Sequence, residues 1–315
     1  MTRAALLSGF GDISKELSAV LWGEELIVLP REGDLSAVAD VEIAFGTNNG
    51  ARVSAFLGEA TRVRWYHSLG AGVENLVVLP HFRERSIVLT NNSGAMDIPI
   101  GEHVIAMLLA AAKRLYLYRD QQRASEWKEH QQQELRGATL VVFGLGSIGA
   151  EAARLAAALG MRVIGVRRSG TPVPGVERIV PPEQLGDAVA EADYVAICAP
   201  LTHATRGAVS REVIAQMKPN AWIINIARGA IVNEEALTEA LQARRIGGAA
   251  LDALTVEPLP RESPLRSLEN VMITPHSSNS SPNVRQRTVG LITENLRRYK
   301  AGEPLLNVVN LEAGY

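Results

Sequence analysis

Residues 138–149 read ATLVVFGLGSIG, in which an apolar run ends in a glycine-rich turn with the spacing GxGxxG at Gly144, Gly146 and Gly149. An alanine-rich segment follows, so the stretch predicts a strand, a tight turn and the start of a helix. The first glycine permits the turn, the second lets a pyrophosphate approach the backbone, and the third lets the helix pack closely on its strand. Free N–H groups at the helix start attract phosphate. The stretch therefore predicts a dinucleotide-binding site.

The composition limits the classes of function. The chain has 315 residues, of which 47% are hydrophobic and 21% charged, with a net charge of −2 at pH 7. That length predicts two domains, and the lack of a basic excess argues against nucleic acid and anionic membranes as partners. Cys198 is the single cysteine, which excludes an intrachain disulfide and a cysteine metal cluster. The first ten residues, MTRAALLSGF, do not resemble a signal peptide, and a cytoplasmic location is predicted.

Short apolar runs alternate with helical patterns along both halves of the chain. Before the glycine motif the predicted strands are Ala4–Leu7, Leu26–Leu29, Val41–Phe45, Val63–Tyr66 and Ile87–Leu89. After Thr139–Phe143 they are Arg162–Val166, Tyr194–Cys198, Ala221–Ile226, Gly247–Leu251 and Val271–Thr274. This alternation is typical of βαβ units. We predict an α/β protein with two doubly wound parallel-sheet domains, one flavodoxin-like and one a Rossmann cofactor domain, with a cleft between them.

Two helices set the predicted domain boundaries. The segment 97–127 has apolar residues at helical spacing for several turns and predicts one long helix. Ser281 and Pro282 suit the first positions of another helix, which runs to about Ala301 and is stopped by Gly302. We therefore predict a discontinuous first domain, 1–96 plus 282–315, and a dinucleotide-binding domain over 97–281.

A second candidate anion site follows the fourth predicted strand. Residues 68–73 read SLGAGV, and we expect them to open a helix. Backbone N–H groups of Ala71 and Gly72 at a helix start would suit a carboxylate. An ordinary glycine turn is the alternative interpretation.

Two arginines indicate the choice of cofactor. Arg167 and Arg168 lie at the end of the second strand of the dinucleotide-binding domain, 18 residues or more past Gly149, where an acidic residue would hold the ribose hydroxyls of NAD. No acid is present there, and guanidinium groups pair well with a 2′-phosphate, with Ser169 beside them. NADP(H) is therefore the preferred cofactor. Two solvated surface arginines, with NAD(H) as a possible cofactor, are the alternative.

Three further strand ends of this domain carry polar groups. They are Asn225–Gly229 (NIARG), Asp252 together with Glu257 in LDALTVEPLP, and Thr274–His276. Each alone has an ordinary structural explanation. Together with a nicotinamide cofactor they supply the parts of a carbonyl reduction.

At these residues the chain resembles the D-isomer-specific 2-hydroxyacid dehydrogenases, and in type the glyoxylate/hydroxypyruvate reductases among them. The blocks that carry the resemblance occur in the order of the family and cover nearly the whole chain. They are GAGVEN at 70–75, GEHVIAMLLA at 101–110, GLGSIG at 144–149, APLTHATRG at 199–207, MKPNAWIINIARGAIVNEEAL at 217–237, LDALTVEPLP at 251–260 and ITPH at 273–276.

The resemblance implies roles for individual residues. Arg228 would bind the substrate carboxylate or carbonyl, and His276 would protonate the carbonyl oxygen as hydride arrives. Glu257 would accept a hydrogen bond from the other imidazole nitrogen and fix its tautomer. Asp252 would hold the nicotinamide carboxamide, and no metal is implied. The other residues that we place at the cofactor, besides the arginines and Ser169 named above, are Gly144, Gly146, Ser147, Ile148, Gly149, Cys198, Ala199, Pro200, Thr205, Ile226, Ala227, Arg228, His276, Ser278 and Ile100. The substrate-binding set is Ala71, Gly72, Arg228 and His276.

The chain departs from the family pattern after the histidine. The family usually has small apolar residues there, whereas residues 277–281 read SSNSS, and Asn279 makes the pocket wall more polar. The loop 46–50 and His67 are further candidates to face substrate, although His67 is also explained as a hydrogen-bonded residue at a strand end. A polar lining favours a small hydroxylated 2-oxo acid such as glyoxylate or hydroxypyruvate.

The leading hypothesis is an NADPH-dependent reduction of such an acid to the D-2-hydroxy acid. The family implies a homodimer. The alternatives are another D-2-hydroxyacid dehydrogenase, including one acting on a phosphoglycerate, a formate or phosphite dehydrogenase, and a dinucleotide-sensing binding protein of the co-repressor type. Arg228, Glu257 and His276 are all present, so the sequence shows no loss of catalytic residues.

Overall fold

The computed structural model describes residues 3–7, 13–21, 25–30, 33 and 35–315, in which parallel strands alternate with helices. The strands are β1 (Arg3–Leu7), β2 (Glu25–Leu29), β3 (Val41–Gly46), β4 (Trp65–Ser68), β5 (Val88–Thr90), β6 (Thr139–Phe143), β7 (Arg162–Val166), β8 (Arg178–Val180), β9 (Tyr194–Ile197), β10 (Trp222–Asn225), β11 (Gly248–Leu251) and β12 (Val271–Ile273). The helices are α1 (Ser14–Val20), α2 (Gly50–Glu59), α3 (Pro80–Glu84), α4 (Asp97–Ala112), α5 (Leu115–Ala124), α6 (Ser147–Ala158), α7 (Leu185–Glu191), α8 (Arg211–Gln216), α9 (Glu234–Gln242) and α10 (Pro282–Ala301).

The chain divides into two compact units. Unit 1 comprises Met1–Met96 and Ser281–Tyr315, and unit 2 comprises Asp97–Ser280. The predicted strands are present with their ends shifted by up to two residues. Among the strands of the described residues, only the short edge strand β8 was not predicted. Both sheets are parallel, so the predicted architecture of two doubly wound parallel sheets is confirmed.

Unit 1 has the strand order β2-β1-β3-β4-β5, which is the flavodoxin-like order. Apolar side chains fill both faces of its sheet. On one face Ile292 and Leu296 of α10 pack in the same cluster as Phe45 and Trp65. Tyr299, also on α10, stacks on Trp65 with ring centroids 5.5 Å apart. The sheet of the first segment is therefore covered by a helix from the second.

Unit 2 has the strand order β12-β11-β10-β9-β6-β7-β8, the Rossmann order continued by one strand. The order reverses between β6 and β9, which pair in register from Leu140 with Tyr194 to Phe143 with Ile197. All five residues of β6 are buried, as expected for a central strand of a parallel sheet covered on both faces. Ligands of such sheets bind beyond the carboxyl ends of the strands at this reversal, so the glycine turn after β6 lies where a ligand is expected.

The prediction of one long helix over 97–127 is wrong. α4 ends at Ala112, and α5 begins only after Arg114, whose φ of 53° lies in the left-handed region. Two side chains at the break bind the extended segment that follows α5. Lys113 Nζ donates to the carbonyl oxygen of Gln133 at 2.8 Å, and Arg114 Nε donates to that of Gln131 at 2.7 Å. These long-range bonds favour the break, which the local apolar spacing does not reveal.

The prediction for the last helix is confirmed. The Ser281 side chain accepts a hydrogen bond from the N–H of Asn283, and Pro282 occupies the first turn of α10. Gly302 ends the helix with a φ of 68°, the left-handed conformation that glycine adopts at low cost. Neither α10 nor another helix within the described ranges combines the length and apolarity required to span a bilayer.

Candidate active site

The glycine turn after β6 has no room for side chains at two of its three glycines. A Cβ on Gly149 would lie 1.9 Å from the carbonyl oxygen of Gly144. A Cβ on Gly144, whose φ is 97°, would lie 2.4 Å from the backbone of Ala199 in the loop after β9. Because Gly149 has no side chain, α6 packs closely on β6, and Ala152 and Ala153 of α6 are buried. Because Gly144 has none, the loop after β9 approaches the turn closely. The turn is thus held in one conformation by backbone packing.

The same turn is open where a ligand would approach. Nothing lies within 4 Å of a Cβ placed on Gly146, which caps α6 in an extended conformation. The first N–H groups of a helix have no partner within the helix, so the start of α6 offers hydrogen-bond donors and a positive dipole end. Ser147 and Ile148 supply the first two of these positions. The residues present fit the pyrophosphate of a dinucleotide.

The two arginines after β7 differ in their surroundings. Arg167 donates to the carbonyl oxygens of Leu145 (3.2 Å), Ser169 (2.7 Å) and Thr171 (2.9 Å), and its Nη2 also reaches the Ser169 hydroxyl. Four of the five guanidinium N–H groups are used in this way. Arg168 is exposed. Arg167 therefore shapes the loop, while Arg168 presents its side chain to solvent beside it.

The loop after β9 closes on itself. Thr205 Oγ1 donates to the carbonyl oxygen of Pro200 at 2.6 Å and accepts from the N–H of Thr202 at 2.8 Å. Cys198 donates its N–H to Phe143, which joins this loop to the end of β6. Burial raises the pKa of the Cys198 thiol to about 12, so it stays protonated at neutral pH and unreactive.

The NIARG turn after β10 is built around Asn225. Its buried side chain donates to the carbonyl oxygen of Arg228 at 3.0 Å and accepts from the N–H of Ala227 at 3.1 Å. A Cβ on Gly229 would lie 2.1 Å from the backbone of Leu254, so this turn directly abuts the loop that carries Glu257. Arg228 is half-buried and donates from Nη1 to its neighbour Ala227 at 2.7 Å.

Glu257 and His276 are brought together. His276 Nδ1 lies 2.8 Å from Glu257 Oε2, and Glu257 Oε1 accepts from the N–H of Leu254 at 2.9 Å. An ionised carboxylate only accepts hydrogen bonds, so Nδ1 carries a proton toward Glu257 and Nε2 is left to exchange a second proton with a substrate. The side chains are 40% and 37% exposed, which leaves the imidazole accessible. The pair has the geometry of a general acid oriented by a carboxylate.

Asp252 has a fully buried side chain that binds the loop carrying this histidine. It accepts from Thr274 Oγ1 (2.5 Å) and from the N–H groups of Ser277 (2.9 Å) and Ser278 (3.0 Å). Burial acts to raise the pKa of Asp252, but the hydrogen bonds from Ser278, Thr274 and Ser277 outweigh it and hold that pKa below its ordinary value. The carboxylate is thus ionised at neutral pH, and its hydrogen bonds hold the loop that carries His276. Its predicted bond to a carboxamide stays a prediction.

His103 of α4 completes this cluster and was not among the predicted site residues. Its Nε2 lies 3.3 Å from Thr274 Oγ1 and 4.0 Å from Asp252 Oδ1. The signal was available, since His103 stands three residues after the predicted cofactor residue Ile100 and shares its helix face. Both residues lie in α4, where Ile100 is buried.

A cavity of about 660 Å³ opens beside the pair in unit 2. Asp252, Glu257, Thr274 and His276 contribute to its wall, and the remaining wall is largely apolar. Of the other predicted residues, Ile226 and Ala227 are buried directly after β10, and Ser278 is buried in the loop after β12. Within the described ranges no group of three or more His, Cys, Asp or Glu side chains is arranged to hold a metal ion.

In unit 1 the loop after β4 differs from its prediction. Residues 69–79 form bends and turns, and no helix begins at Ala71 or Gly72, so the predicted helix start is wrong. The carbonyl oxygens of these two residues accept from Asn91 Nδ2 (2.9 Å) and Asn48 Nδ2 (3.4 Å). Their N–H groups donate to no acceptor in the described part of the chain. The loop is therefore held through its carbonyls and leaves two donors available.

His67 is buried in unit 1. Its Nδ1 lies 2.8 Å from Thr90 Oγ1, which also accepts from Trp65 Nε1 at 2.8 Å. Burial lowers the pKa of His67 to about 3. Of the two interpretations of His67, the hydrogen-bonded residue at a strand end describes it, and its side chain is 0% exposed.

Comparison with known proteins adds independent information. The family model described as D-isomer specific 2-hydroxyacid dehydrogenase, NAD binding domain, matches residues 105–278. A glyoxylate reductase of Pyrococcus furiosus is 33% identical over 322 residues, which cover 99% of this chain and 95% of that protein. A D-3-phosphoglycerate dehydrogenase of Methanocaldococcus jannaschii is 32% identical over 97% of this chain, which spans only 57% of the length of that relative.

The solved structures include a similar fold of the same length. The NADPH-dependent glyoxylate/hydroxypyruvate reductase from Sinorhizobium meliloti, in complex with NADP and sulfate, superposes with a TM-score of 0.85 at 28% sequence identity. The alignment covers 100% of both chains. The similarity therefore extends over the residues of both units.

Proposed function

The chain belongs to the D-isomer-specific 2-hydroxyacid dehydrogenase family, and from that premise we propose that it uses NADPH to reduce a small 2-oxo acid to the D-2-hydroxy acid. The Glu257–His276 pair, with 2.8 Å between Oε2 and Nδ1, is the observation that carries the proposal. It combines a proton donor with a carboxylate that orients it, at the carboxyl edge of a dinucleotide-binding sheet. Glyoxylate and hydroxypyruvate are the proposed substrates.

The proposed mechanism assigns a task to each polar group. The cofactor, when bound, supplies the hydride. His276 gives the proton on Nε2 to the carbonyl oxygen, while Glu257 accepts the hydrogen bond of Nδ1–H and stabilises the charged imidazole. Arg228 pairs with the negative charge of the substrate and withdraws electron density from the carbonyl. The N–H groups of Ala71 and Gly72 are the proposed donors to the substrate carboxylate, since they have no other acceptor in the described chain.

The polar residues after the histidine support the choice of a small, hydroxylated acid. Ser277 and Asn279 follow the histidine in the chain and put polar groups next to it, beside a cavity whose remaining wall is largely apolar. Two kinds of relative name different substrates, since one is a glyoxylate reductase and another a D-3-phosphoglycerate dehydrogenase. D-3-Phosphoglycerate chemistry is therefore the second candidate.

A panel of 2-oxo acids tests the reaction. NADPH absorbance is followed with glyoxylate, hydroxypyruvate, pyruvate and 3-phosphohydroxypyruvate, and we expect the first two to give the highest kcat/KM. His276→Ala should lower kcat by about 10²- to 10⁴-fold, the usual contribution of a general acid, with the Kd of NADPH unchanged. Glu262→Gln, an exposed acid in the same loop region, is the control. Tight NADPH binding without turnover of any acid would refute the proposal.

The preference for NADPH depends on Arg168 in our proposal. Because Arg167 uses four of its N–H groups to shape the loop, Arg167→Ala should weaken NADPH and NADH alike. Arg168→Ala should raise the KM of NADPH by about tenfold, the loss of roughly 1.4 kcal/mol from one charged hydrogen bond, and leave that of NADH unchanged. Equal effects of Arg168→Ala on both cofactors would show that this arginine is a solvated bystander.

A homodimer is the proposed assembly. Two apolar side chains of unit 2 are left in solvent by the single chain, Leu115 at 53% and Trp127 at 99% exposure. A second copy of the chain that covers them would remove an unfavourable contact with water. Sedimentation velocity measures the mass, and a monomer at micromolar concentration would contradict the assembly but not the reaction.

A further inference from the structure

We propose that His103 is a positioning residue for His276, acting through Thr274 and Asp252. The inference rests on the proposed function, because it assigns His103 a part in placing the proposed general acid. Its basis is a chain of hydrogen bonds in unit 2 that joins α4 to the loop after β12.

Asp252 holds the backbone of that loop on both sides of its turn. Its Oδ1 accepts from Thr274 Oγ1 and from the N–H of Ser277, and its Oδ2 accepts from the N–H of Ser278. His276 lies between these contacts in sequence. The position of its backbone therefore depends on the orientation of one buried carboxylate.

His276 needs such an anchor because its backbone is in an unfavourable conformation. Its φ is 51°, in the left-handed region, which disfavours residues other than glycine. A loop in this conformation relaxes when its contacts are removed. Glu257 orients the ring of His276, while the Asp252 contacts hold its backbone.

The protons of this chain determine the role of His103. Thr274 has one hydroxyl proton, which it gives to Asp252 at 2.5 Å, so its oxygen can only accept from His103 Nε2 at 3.3 Å. His103 must therefore carry a proton on Nε2. In donating it, His103 orients the Thr274 hydroxyl toward Asp252.

The direction of the bonds predicts which substitutions matter. Gln places an amide N–H near the position of His Nε2 and keeps the donor, whereas Leu fills similar volume without one. Thr274→Val removes the hydroxyl and keeps the shape. Loss of the donor lets the loop shift, and a displacement of about 1 Å at a reacting group costs up to about 100-fold in rate.

The kinetic test compares four variants in NADPH-dependent glyoxylate reduction. We expect His103→Leu and Thr274→Val to lower kcat by about 10- to 100-fold with the KM of NADPH changed less than about twofold, and His103→Gln to retain most of the wild-type kcat. The double variant His103→Leu/Thr274→Val should be no slower than Thr274→Val alone, since both break one chain of bonds. Glu102→Leu, at an exposed neighbour on α4, is the matched control.

A second measurement does not depend on activity. In protein labelled with ¹⁵N-histidine, the imidazole spectrum at neutral pH should show a proton on His103 Nε2, with the signals assigned by their absence in His103→Gln. A proton on Nδ1 alone would overturn the inference, as would a wild-type kcat in both His103→Leu and Thr274→Val. If the wild-type protein reduces no 2-oxo acid, the proposed function fails, and the missing Nε2 proton is then the result that would overturn the His103 bond itself.

Discussion

Acidification should destabilise unit 1 through His67, and replacing His67 with Asn should remove that effect. The His67 side chain is fully buried beside the rings of Phe45 and Trp65. The centroid of its imidazole lies 6.5 Å and 6.4 Å from the centroids of those two rings. Within the described residues its Nε2 has no hydrogen-bond partner. A second proton on the imidazole would place a cation among aromatic rings, and this burial lowers the pKa of His67 to about 3.

The direction and the magnitude of this pH effect on stability follow from the lowered pKa of His67. The unfolded chain takes up a proton near pH 6.5, whereas folded His67 stays neutral until about pH 3, so the unfolded state gains protons first as the pH falls. Stability contributed by neutral His67 is therefore intact above about pH 6.5 and declines by about 1.4 kcal/mol for each pH unit below it. Between pH 7 and pH 4.5 the loss amounts to about 2.5 kcal/mol.

Urea unfolding at a series of pH values measures this loss. Each variant is followed by tryptophan fluorescence, to which Trp65 contributes from beside the imidazole, and by circular dichroism. The quantity of interest is the difference in unfolding free energy between wild type and His67→Asn as a function of pH, because all other titrating groups cancel from it. His203→Asn, at an exposed position, is the control and should show no such pH dependence.

A flat difference would refute the reasoning. If wild type and His67→Asn lose stability in parallel from pH 7 to pH 4.5, His67 must be protonated in the folded protein. A charged His67 would then need a hydrogen-bond acceptor at Nε2, and the described residues supply none.

Two pairs of glycine substitutions test the backbone arguments. Gly149→Ala would place a Cβ 1.9 Å from a carbonyl oxygen, so it should lower the unfolding free energy by about 1 to 3 kcal/mol and weaken NADPH binding. Gly146→Ala has open space and should melt like wild type without cofactor, yet bind NADPH about tenfold more weakly, a cost of roughly 1.4 kcal/mol. Wild-type NADPH affinity in Gly146→Ala, measured by fluorescence titration, would contradict the cradle. Gly302→Ala should cost about 1 kcal/mol because its φ is 68°, whereas Gly290→Ala, exposed in the same helix, should gain about 0.5 to 1 kcal/mol in thermal unfolding. Equal effects of these last two would show that the C-terminal conformation of α10 carries no strain.

The fold was predictable wherever local pattern and tertiary structure agree. β6 is apolar along its whole length and is buried along its whole length, so its period and environment match. The break before α5 was not predictable from periodicity, because the carbonyl oxygens that bind Lys113 and Arg114 lie 17 to 20 residues further along the chain. The edge strand β8 was missed because three residues with an exposed arginine give little signal.

The candidate site also contains residues that the sequence predicts and residues that it does not. Glu257 and His276 could be paired from the sequence because the family resemblance places them, and the structure puts their side chains in contact. The cluster of His103, Thr274 and Asp252 joins residues from three elements, so no short stretch contains it. The folded structure is also needed to show that Asp252 accepts hydrogen bonds from the backbone of the loop that carries the histidine.

The division of unit 1 into two segments has a consequence for synthesis on the ribosome. Residues 281–315, which include α10, emerge after all of unit 2. Until then the apolar face of the first sheet, with Trp65, lacks the cover that Tyr299 and Leu296 provide. Unit 2 is continuous and can fold as soon as it has emerged, because domains fold as units during translation. The nucleotide-binding half therefore matures first, and the nascent chain carries an uncovered sheet that chaperones can recognise.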